Sequence, residues 1–420
     1  MDFVFALLIA TLAIIVTWQA FQRSRHTRHP TSTCVDTMNG LRSVLENPNA
    51  SLQTLLVSRA GSNSRLRASF QLTNTFVSDD PHLHREFVTK AKGFVQAQAS
   101  SHSRAAFADM CSAIVEEVLA AGNANGHPVA FDDFIQVVTF KVILSSLFGA
   151  EIDGLDDGDV LFAARAINTL WQQSKQAEPP SLDLLCQLNS HLRSWLPEHT
   201  NPLDFIVPAY ETMWRVVAIA VARVHRDGSL VYQTAFSDFL QDPSRGHFQR
   251  WNSVQEPSIE SVIQETIRLY PPTRRISRLI VSSQELSWSS RIFRTLFKFP
   301  FSAPTFPAPT SQYTAIVDIG ALHRDPTIWG PDSDVFDPLR FHSSRITSSQ
   351  KECMLGFGFG RLKCVAKDWA PHTAAIIVAA VLSRTCGEVA RFKIVEGEKI
   401  GNREGWEGWE VILARARRSV

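Results

Sequence analysis

The sequence predicts a mainly α-helical protein with a minor β component, preceded by one N-terminal transmembrane helix. Three observations lead to this prediction. Residues 3–21 contain no charged side chain. Apolar residues then recur at helical spacing over most of residues 41–270. A proline-rich run and a strand-like segment come only after residue 270.

The composition fits a globular domain and argues against several classes of function. Of the 420 residues, 45% are hydrophobic and 20% are charged, which is enough for a sizeable core. The formal net charge of +1 gives no basic surplus for a nucleic-acid partner. The six cysteines form neither a CxxC motif nor a Cys/His cluster, which argues against a zinc site and a disulfide scaffold. A reducing, cytosol-facing environment is the simpler interpretation.

The first element is the apolar run at 3–21, which is just long enough to cross a bilayer as a helix. Arg23, Arg25 and Arg28 follow it, and the positive-inside rule keeps that side in the cytosol. A cleaved signal peptide and a buried helix are the alternatives. The run starts beside the acidic Asp2 and lacks a small-x-small cleavage site, so a membrane anchor is preferred.

After the anchor, residues 22–40 are polar and predict a linker, and residues 41–420 are expected to form one domain. Prolines at 300, 304, 307 and 309 argue against a helix or a central strand in 296–312. A strand is predicted at 314–319. The helices predicted from apolar spacing include 112–121, 134–148 and 371–382.

The most informative segment is 355–366, with the sequence LGFGFGRLKCVA. Its closely spaced glycines let the backbone turn tightly and pass close to a flat ligand. Cys364 follows and precedes an apolar helix, whose N-terminal N–H groups and dipole would favour the metal-binding thiolate. Taken alone, the segment is more simply explained as a turn with a structural cysteine.

Four ordered elements resemble the cytochrome P450 family and give this segment a function. The first is Glu-x-x-Arg at Glu265 and Arg268, and the second is the sequence HRDPTIWGPD from His323. The matching residues of the third and fourth elements are Pro338, Arg340 and Phe341, then Phe357, Gly360, Cys364 and Ala366. The resemblance implies a P450-like fold, haem b as cofactor and Cys364 as the axial ligand of its iron.

The resemblance also implies a structural charge triad of Glu265, Arg268 and Arg340 behind the haem. Glu265 and Arg268 lie one helical turn apart and so share a face, which makes the pairing physically reasonable. The alternative is an exposed pair of little energetic consequence.

Glu211 and Thr212, in the segment PAYET, resemble the acid–threonine pair of the family's long central helix. The resemblance assigns them to proton delivery during catalysis, a task for positioned donors. The alternative is a polar pair on an ordinary helix.

Further cofactor contacts are expected from residues that resemble the family's haem-binding positions. In the segment 355–366, called the cysteine loop below, these are Phe357, Gly360 and Arg361, and elsewhere they are Arg278, His84 and Arg85. Leu362 stands where the family usually has arginine or histidine, so one contact is moved or lost. The segment 282–312 is longer than the family's usual connection at this place, which indicates either an inserted loop or a gene-model artefact. Residues 41–130 match the family poorly.

The resulting hypothesis is a haem-dependent monooxygenase that inserts one oxygen atom of dioxygen into a small apolar substrate. The resemblance implies NADPH as the indirect electron source, through NADPH-cytochrome P450 reductase. It also implies a single-pass protein of the endoplasmic reticulum whose catalytic domain faces the cytosol. The segment FGFGRLKCVAKDWAP is similar to filamentous-fungal enzymes of secondary-metabolite biosynthesis. The alternatives are a haem-thiolate isomerase, dehydratase or ring-closing enzyme, and a degenerate paralogue without activity.

Overall fold

The structure, a computed structural model, describes residues 32–35, 38–97, 101–122, 127–227, 230–283, 310–387 and 390–414. The predicted anchor at 3–21 and residues 284–309 of the long connection lie outside these ranges. Within them, the chain is mainly helical with two small sheets, as the sequence predicts.

The helices are numbered here in chain order. Those before residue 200 are α1 Met38–Leu45, α2 Leu52–Ser62, α3 Ser64–Phe70, α4 Pro81–Ala97, α5 Ser101–Gly122, α6 Phe131–Phe148, α7 Asp157–Gln173 and α8 Leu182–Trp195. Those after it are α9 Leu203–Arg226, α10 Leu230–Gln241, α11 Arg245–Gln249, α12 Ile259–Leu269, α13 Ile319–Leu322, α14 Pro326–Trp329, α15 Ser348–Cys353 and α16 Ala370–Thr385.

The core is built around α6, α9 and α16, which pack against one another or share neighbouring helices. Nearly every residue from Phe131 to Leu144 is buried, which explains why α6 is apolar all round. Tyr210 of α9 stacks on Phe140 of α6 with 4.4 Å between the ring centroids. The predicted helices at 112–121, 134–148 and 371–382 are thus confirmed within α5, α6 and α16.

Two three-stranded sheets flank this core. The first has the order β1 (Ser32–Val35), β4 (Thr310–Asp318), β3 (Arg275–Ser283), with β1 parallel and β3 antiparallel to β4. The second is antiparallel, with the order β2 (Val129–Ala130), β6 (Glu410–Leu413), β5 (Phe392–Val395). The connection between β5 and β6 runs from 396 to 409 and returns to the core beside α9.

Two boundaries differ from the sequence predictions. Residues 32–35 fall inside the predicted linker, but they form β1 because β4, far along the chain, supplies their hydrogen-bonding partners. The strand predicted at 314–319 begins at Thr310 and is the central strand of its sheet. The argument from prolines against a central strand applies only up to Pro309. The residues after it have backbone N–H groups and can donate hydrogen bonds to the neighbouring strands.

Among the described residues, α9 is the one helix long and apolar enough to cross a membrane, and 78% of its apolar stretch is buried inside the protein. The helix contains Pro208, which removes one backbone donor. The carbonyl of Asp204 accepts a hydrogen bond from Asn74 Nδ2 at 2.6 Å instead. Burial against protein thus accounts for the composition of α9.

Candidate functional site

The predicted charge triad is present and completely buried. Glu265 lies on α12 with no exposed surface, and its two oxygens accept from Arg268 Nε and Nη2 at 2.6 and 2.7 Å. Arg340 Nε lies 3.7 Å from Glu265 Oε1, and the Asp337 backbone N–H donates to the same oxygen at 2.9 Å. The carboxylate therefore accepts three hydrogen bonds and lies beside a second guanidinium, and such pairing is what a buried charge requires.

The remaining N–H groups of Arg268 and Arg340 donate hydrogen bonds to the segment that follows β4 and precedes the cysteine loop. Arg268 Nη1 donates to the carbonyls of His323 and Ser333, both at 2.6 Å. Arg340 Nη1 donates to the Trp329 carbonyl at 2.8 Å, and its Nη2 contacts Asp332 Oδ2 at 2.9 Å. The triad thus fixes the segment 323–340 against α12.

The His323 side chain connects the triad helix α12 to the start of the cysteine loop. The imidazole is fully buried, and Nδ1 lies 3.1 Å from the carbonyl oxygen of Arg268. Nε2 accepts from the Leu355 backbone N–H, also at 3.1 Å, which requires the proton on Nδ1. Burial lowers the pKa of His323 to about 4, so the ring stays neutral in these two contacts.

The cysteine loop itself is a tight turn that only glycine accommodates at two positions. Gly358 and Gly360 have φ of 73° and 70°. The Cys364 backbone N–H donates to the Phe357 carbonyl at 2.8 Å and closes the turn. A Cβ at Gly356 would lie 2.5 Å from Ile267 Cγ2 of α12, so the loop also packs directly on the triad helix.

Cys364 lies six residues before α16 rather than at its first turn, because residues 365–369 form turns before Ala370 starts the helix. The expected effect of the helix dipole is therefore weak at this distance. The residue is accessible, yet enough protein surrounds the sulfur for desolvation to raise the pKa of the thiol, while the Ala366 backbone lowers it. Without a bound cation, the protein alone favours the thiol.

Arg361 was expected to contact the cofactor, but the structure directs its donors toward α1 and the segment after it. Its backbone N–H donates to Glu46 Oε2 at 2.6 Å, and its Nε donates to Glu46 Oε1. Its Nη2 donates to the Ala50 carbonyl at 2.8 Å. Arg361 therefore braces the loop from outside, and its predicted cofactor contact gains no support from this geometry.

A second cluster joins α2, α4 and β3 and contains two of the predicted cofactor-binding residues. Arg59 Nη2 donates to the carbonyl of Thr75 at 2.6 Å and also bonds its hydroxyl. The same hydroxyl lies 2.8 Å from His84 Nδ1. Arg278 of β3 is buried close enough to Arg59 for the two charges to repel. Arg85 points outward and is exposed.

This cluster is cationic and lacks an acid. In the part of the chain that the structure describes, no carboxylate forms an ion pair with Arg59 or Arg278, and the Nε of each has no hydrogen-bond partner. Burial lowers the pKa of Arg59 to about 9, with repulsion from Arg278 as the second cause, and lowers that of Arg278 to about 10. Two buried guanidiniums of this kind suit an anion with two carboxylates, as haem has, and cysteine is a suitable ligand type for its iron.

The two predicted catalytic residues lie on α9 with different surroundings. Thr212 is half-buried, and its Oγ1 makes only a long 3.4 Å contact with the Pro208 carbonyl, which leaves the hydroxyl able to turn to another partner. Glu211 is buried, and Arg215 Nη2 donates to its Oε2 at 2.8 Å. Arg403, from the connection between β5 and β6, donates to Oε1. Both carboxylate oxygens are therefore occupied.

Comparison with known proteins supports the same assignment. The family model described as Cytochrome P450 matches residues 311–393, which include the Arg340 segment and the whole cysteine loop. Cytochrome P450 714A2 of Arabidopsis thaliana is 32% identical over 129 residues. Cytochrome P450 4X1 of Mus musculus is 28% identical over 170 residues. Over residues 311–393 the chain is thus similar to the cytochrome P450 family.

The fold is also similar to that of a solved cytochrome P450. A crystal structure of the haem domain of a cytochrome P450DA mutant superimposes with a TM-score of 0.57 at 13% identity, covering 93% of this chain and 86% of that one. The sequence matches are shorter: the chain spans 21% of the length of the Arabidopsis relative and 29% of the mouse relative, and the matches cover 30% and 40% of this chain. A cyclooctat-9-en-7-ol 5-monooxygenase of Streptomyces melanosporofaciens is 32% identical over 131 residues, which are 30% of this chain and 24% of that enzyme.

Sequence reasoning missed several residues that contribute to the candidate site. Arg59 follows Leu55 and Leu56 at helical spacing, and a cation on an apolar face is a usable signal of a buried anion site. Glu46 and Arg403 carry no such signal, because their partners lie hundreds of residues away along the chain.

Proposed function

We propose that this protein is a haem-thiolate monooxygenase of the cytochrome P450 family, in which Cys364 would bind the haem iron and Arg59 and Arg278 would hold the propionates. The observation that carries the proposal is the combination of a cysteine loop fixed to a buried triad with two buried guanidiniums that lack an acid. Bound haem would supply the dioxygen chemistry, with electron density from the thiolate favouring O–O cleavage.

The protein's own part is to orient the ligands and to move protons. Neutral His323 holds the backbone at Leu355, which sets the start of the loop before Cys364. Thr212 Oγ1 has a weak partner and is the proposed proton donor on the distal side. Glu211 would join this relay only after one of its two arginine contacts opens.

The remaining features of the proposal follow from family resemblance. We infer that electrons come from NADPH through NADPH-cytochrome P450 reductase and that the product belongs to secondary metabolism, as in filamentous fungi. We also infer that residues 3–21 anchor the chain in the endoplasmic reticulum membrane. Fractionation of the full chain and of a chain lacking residues 1–22 measures the anchoring directly.

Replacing the proposed ligand tests the central assignment. Cys364→Ala should remove the thiolate-type band from the carbon monoxide difference spectrum of the reduced protein, because no other sulfur occupies this loop. Cys186→Ala is the matched control, since Cys186 is also exposed but lies on α8. A Cys364→Ala protein that keeps the band would overturn the assignment.

One observation favours a second function on the same scaffold. Because both oxygens of Glu211 are engaged by arginines, the acid is poorly placed to relay protons, and a haem-thiolate isomerase or dehydratase would not need that relay. Product mass separates the two functions, since oxygen insertion adds one oxygen atom.

The substitution Thr212→Ala distinguishes the monooxygenase from the isomerase or dehydratase function. For a monooxygenase, haem content should persist while product per NADPH falls by roughly 10²–10⁴ and hydrogen peroxide rises, because a positioned proton donor is lost. The measurement is a balance of NADPH, peroxide and product in a reductase-supported assay. Thr169→Ala, on α7, serves as the control substitution. Unchanged coupling in Thr212→Ala would move the isomerase function ahead.

A further inference from the structure

A second group of cations lies beside α9, apart from the cluster of Arg59 and Arg278. Arg65 of α3 and Arg403 both stand against the indole of Trp171, at 5.0 and 5.1 Å from the ring centroid. Arg215 and Lys175 are close enough to these arginines for their positive charges to repel. These residues, with Glu211, are called the Trp171 cluster below.

Contacts from several elements hold the Trp171 cluster in place. Arg65 Nη1 donates to Ser174 Oγ, and that hydroxyl donates to the Trp171 carbonyl at 2.6 Å. Arg403 Nη1 donates to Asn168 Oδ1 at 3.0 Å. Arg215 Nη1 donates to the Pro272 carbonyl, also at 3.0 Å. The three arginines are therefore held in place by the fold.

The Trp171 cluster has more positive than negative charge. Glu211 is its buried acid and is already shared by Arg215 and Arg403. Glu404 is exposed and accepts a hydrogen bond from Gln172 instead. Within the described ranges, no carboxylate forms an ion pair with Arg65 or Lys175. Burial lowers the pKa of both Arg65 and Arg403, while Glu211 opposes that effect, so an additional anion would relieve the desolvated charge.

The position of this excess charge points to the substrate rather than to the cofactor. A haem has a single propionate edge, and the cluster of Arg59 and Arg278 already fits it. The Trp171 cluster draws on α3, α7, α9 and the 396–409 connection, and it contains the residue next to Thr212. It therefore lies beside the helix where the distal chemistry is proposed.

We propose that the substrate is an organic acid whose carboxylate binds Arg65 in the Trp171 cluster. The proposal rests on the monooxygenase function above and refines its small apolar substrate to an apolar body that carries one carboxylate. A guanidinium offers paired donors that match the two oxygens of a carboxylate. The Trp171 ring, 6.4 Å from that of Phe70, supplies apolar surface beside the charge.

Binding of acids and of their neutral esters to the haem-loaded full chain tests this proposal. The probes are dodecanoate, 1-naphthaleneacetate and abietate, each paired with its methyl ester, so that chain, aromatic and polycyclic bodies are covered. Calorimetry gives the dissociation constants, and the shift of the Soret band reports arrival at the haem. At least one acid should bind 10-fold or more tighter than its ester, as a charge-assisted contact predicts.

Substitutions of Arg65 test whether this residue binds the carboxylate of the acid. Arg65→Gln should remove the preference for the acid and leave ester binding unchanged, whereas Arg65→Lys should keep part of the preference. Arg165→Gln is the control, because Arg165 lies on the exposed side of α7 and pairs with Asp133. A preference that survives in Arg65→Gln, or three acids that bind no tighter than their esters, would overturn the proposal.

The carbon monoxide difference spectrum of each preparation keeps this result separate from the proposed function. If the thiolate-type band is present and the acid preference is absent, the substrate proposal alone is wrong. If the band is absent, calorimetry still measures the acid preference of the Trp171 cluster while the monooxygenase assignment fails.

Discussion

Arg268 and Arg59 are both buried arginines, and their surroundings assign them opposite roles. Arg268 bonds a buried carboxylate and three backbone carbonyls, so its charge is fully satisfied within the protein. Among the described residues, the Arg59 side chain hydrogen-bonds only Thr75, faces the like charge of Arg278 and has no partner for its Nε. Satisfied charges maintain a structure, whereas unsatisfied buried charges indicate a ligand.

Glu265→Ala should show how much the triad contributes to stability. The change leaves Arg268 and Arg340 buried without their carboxylate, which typically costs about 3–5 kcal/mol. We expect insoluble or haem-free protein, measured by soluble yield and by haem absorbance per polypeptide.

The control for this prediction is Glu352→Ala, which breaks the exposed pair of Glu352 with Arg42. Surface pairs contribute about 0–1 kcal/mol, so this variant should remain soluble and haem-loaded. A soluble, haem-loaded Glu265→Ala protein would show that the triad is not needed for the fold.

At the scale of elements, the cysteine loop is held from two sides. Gly356 packs on Ile267 of α12, and Gly360 packs on Glu46 at the end of α1. His323 adds a hydrogen bond on the first of these sides, and Arg361 adds hydrogen bonds to Glu46 and Ala50 on the second. Contacts within the protein thus hold the loop in place without a ligand on Cys364.

Gly360→Ala tests whether these contacts hold the loop. A Cβ at Gly360 would lie 2.1 Å from Glu46 Oε2, and its φ of +70° is unfavourable for alanine by roughly 1–2 kcal/mol. We expect a lower unfolding midpoint in urea and a carbon monoxide spectrum shifted toward the form without thiolate. Gly154→Ala is the control, since a Cβ there meets no atom within 4 Å. Equal behaviour of the two variants would contradict the proposed bracing.

The elements predictable from sequence are those whose signal is local. The apolar helices α6 and α16 and the triad spacing of Glu265 and Arg268 are visible within a few turns of chain. Strand β1 was missed because its pairing partner is β4, and Arg403 was missed because its acid is on α9. Such pairings depend on the folded arrangement, which a window of sequence does not contain.

At the scale of the whole molecule, two buried histidines give the fold a dependence on pH. Burial lowers the pKa of His323 and of His372 to about 4, from 6.5 in the unfolded chain. Arg104 is the second cause for His372. The unfolded state therefore binds more protons between these values. Stability is full above pH 6.5 and falls as pH drops toward 4, by about 3 kcal/mol for each ring.

Urea unfolding between pH 7 and pH 4.5 checks this dependence. His372→Phe should flatten the decrease in the free energy of unfolding, by about 2 kcal/mol over that interval, because one titrating ring is lost. Phenylalanine suits the site, since His372 already packs edge-on against Phe239 and Phe248. Parallel curves for the two proteins would show that His372 does not resist protonation in the fold.

The contacts between α1 and the cysteine loop have a consequence for the order of events during synthesis. Arg361 and Glu46 are 315 residues apart, and Arg42 lies 310 residues from Glu352 of α15, just before the loop. A ribosome releases the chain from its N-terminus, so α1 is made more than 300 residues before these partners emerge. Joining them closes long loops, at an entropic cost that grows slowly with loop length. The brace between α1 and the cysteine loop therefore forms only after residue 361 has left the ribosome, when most of the helices that make up the core have already been synthesised.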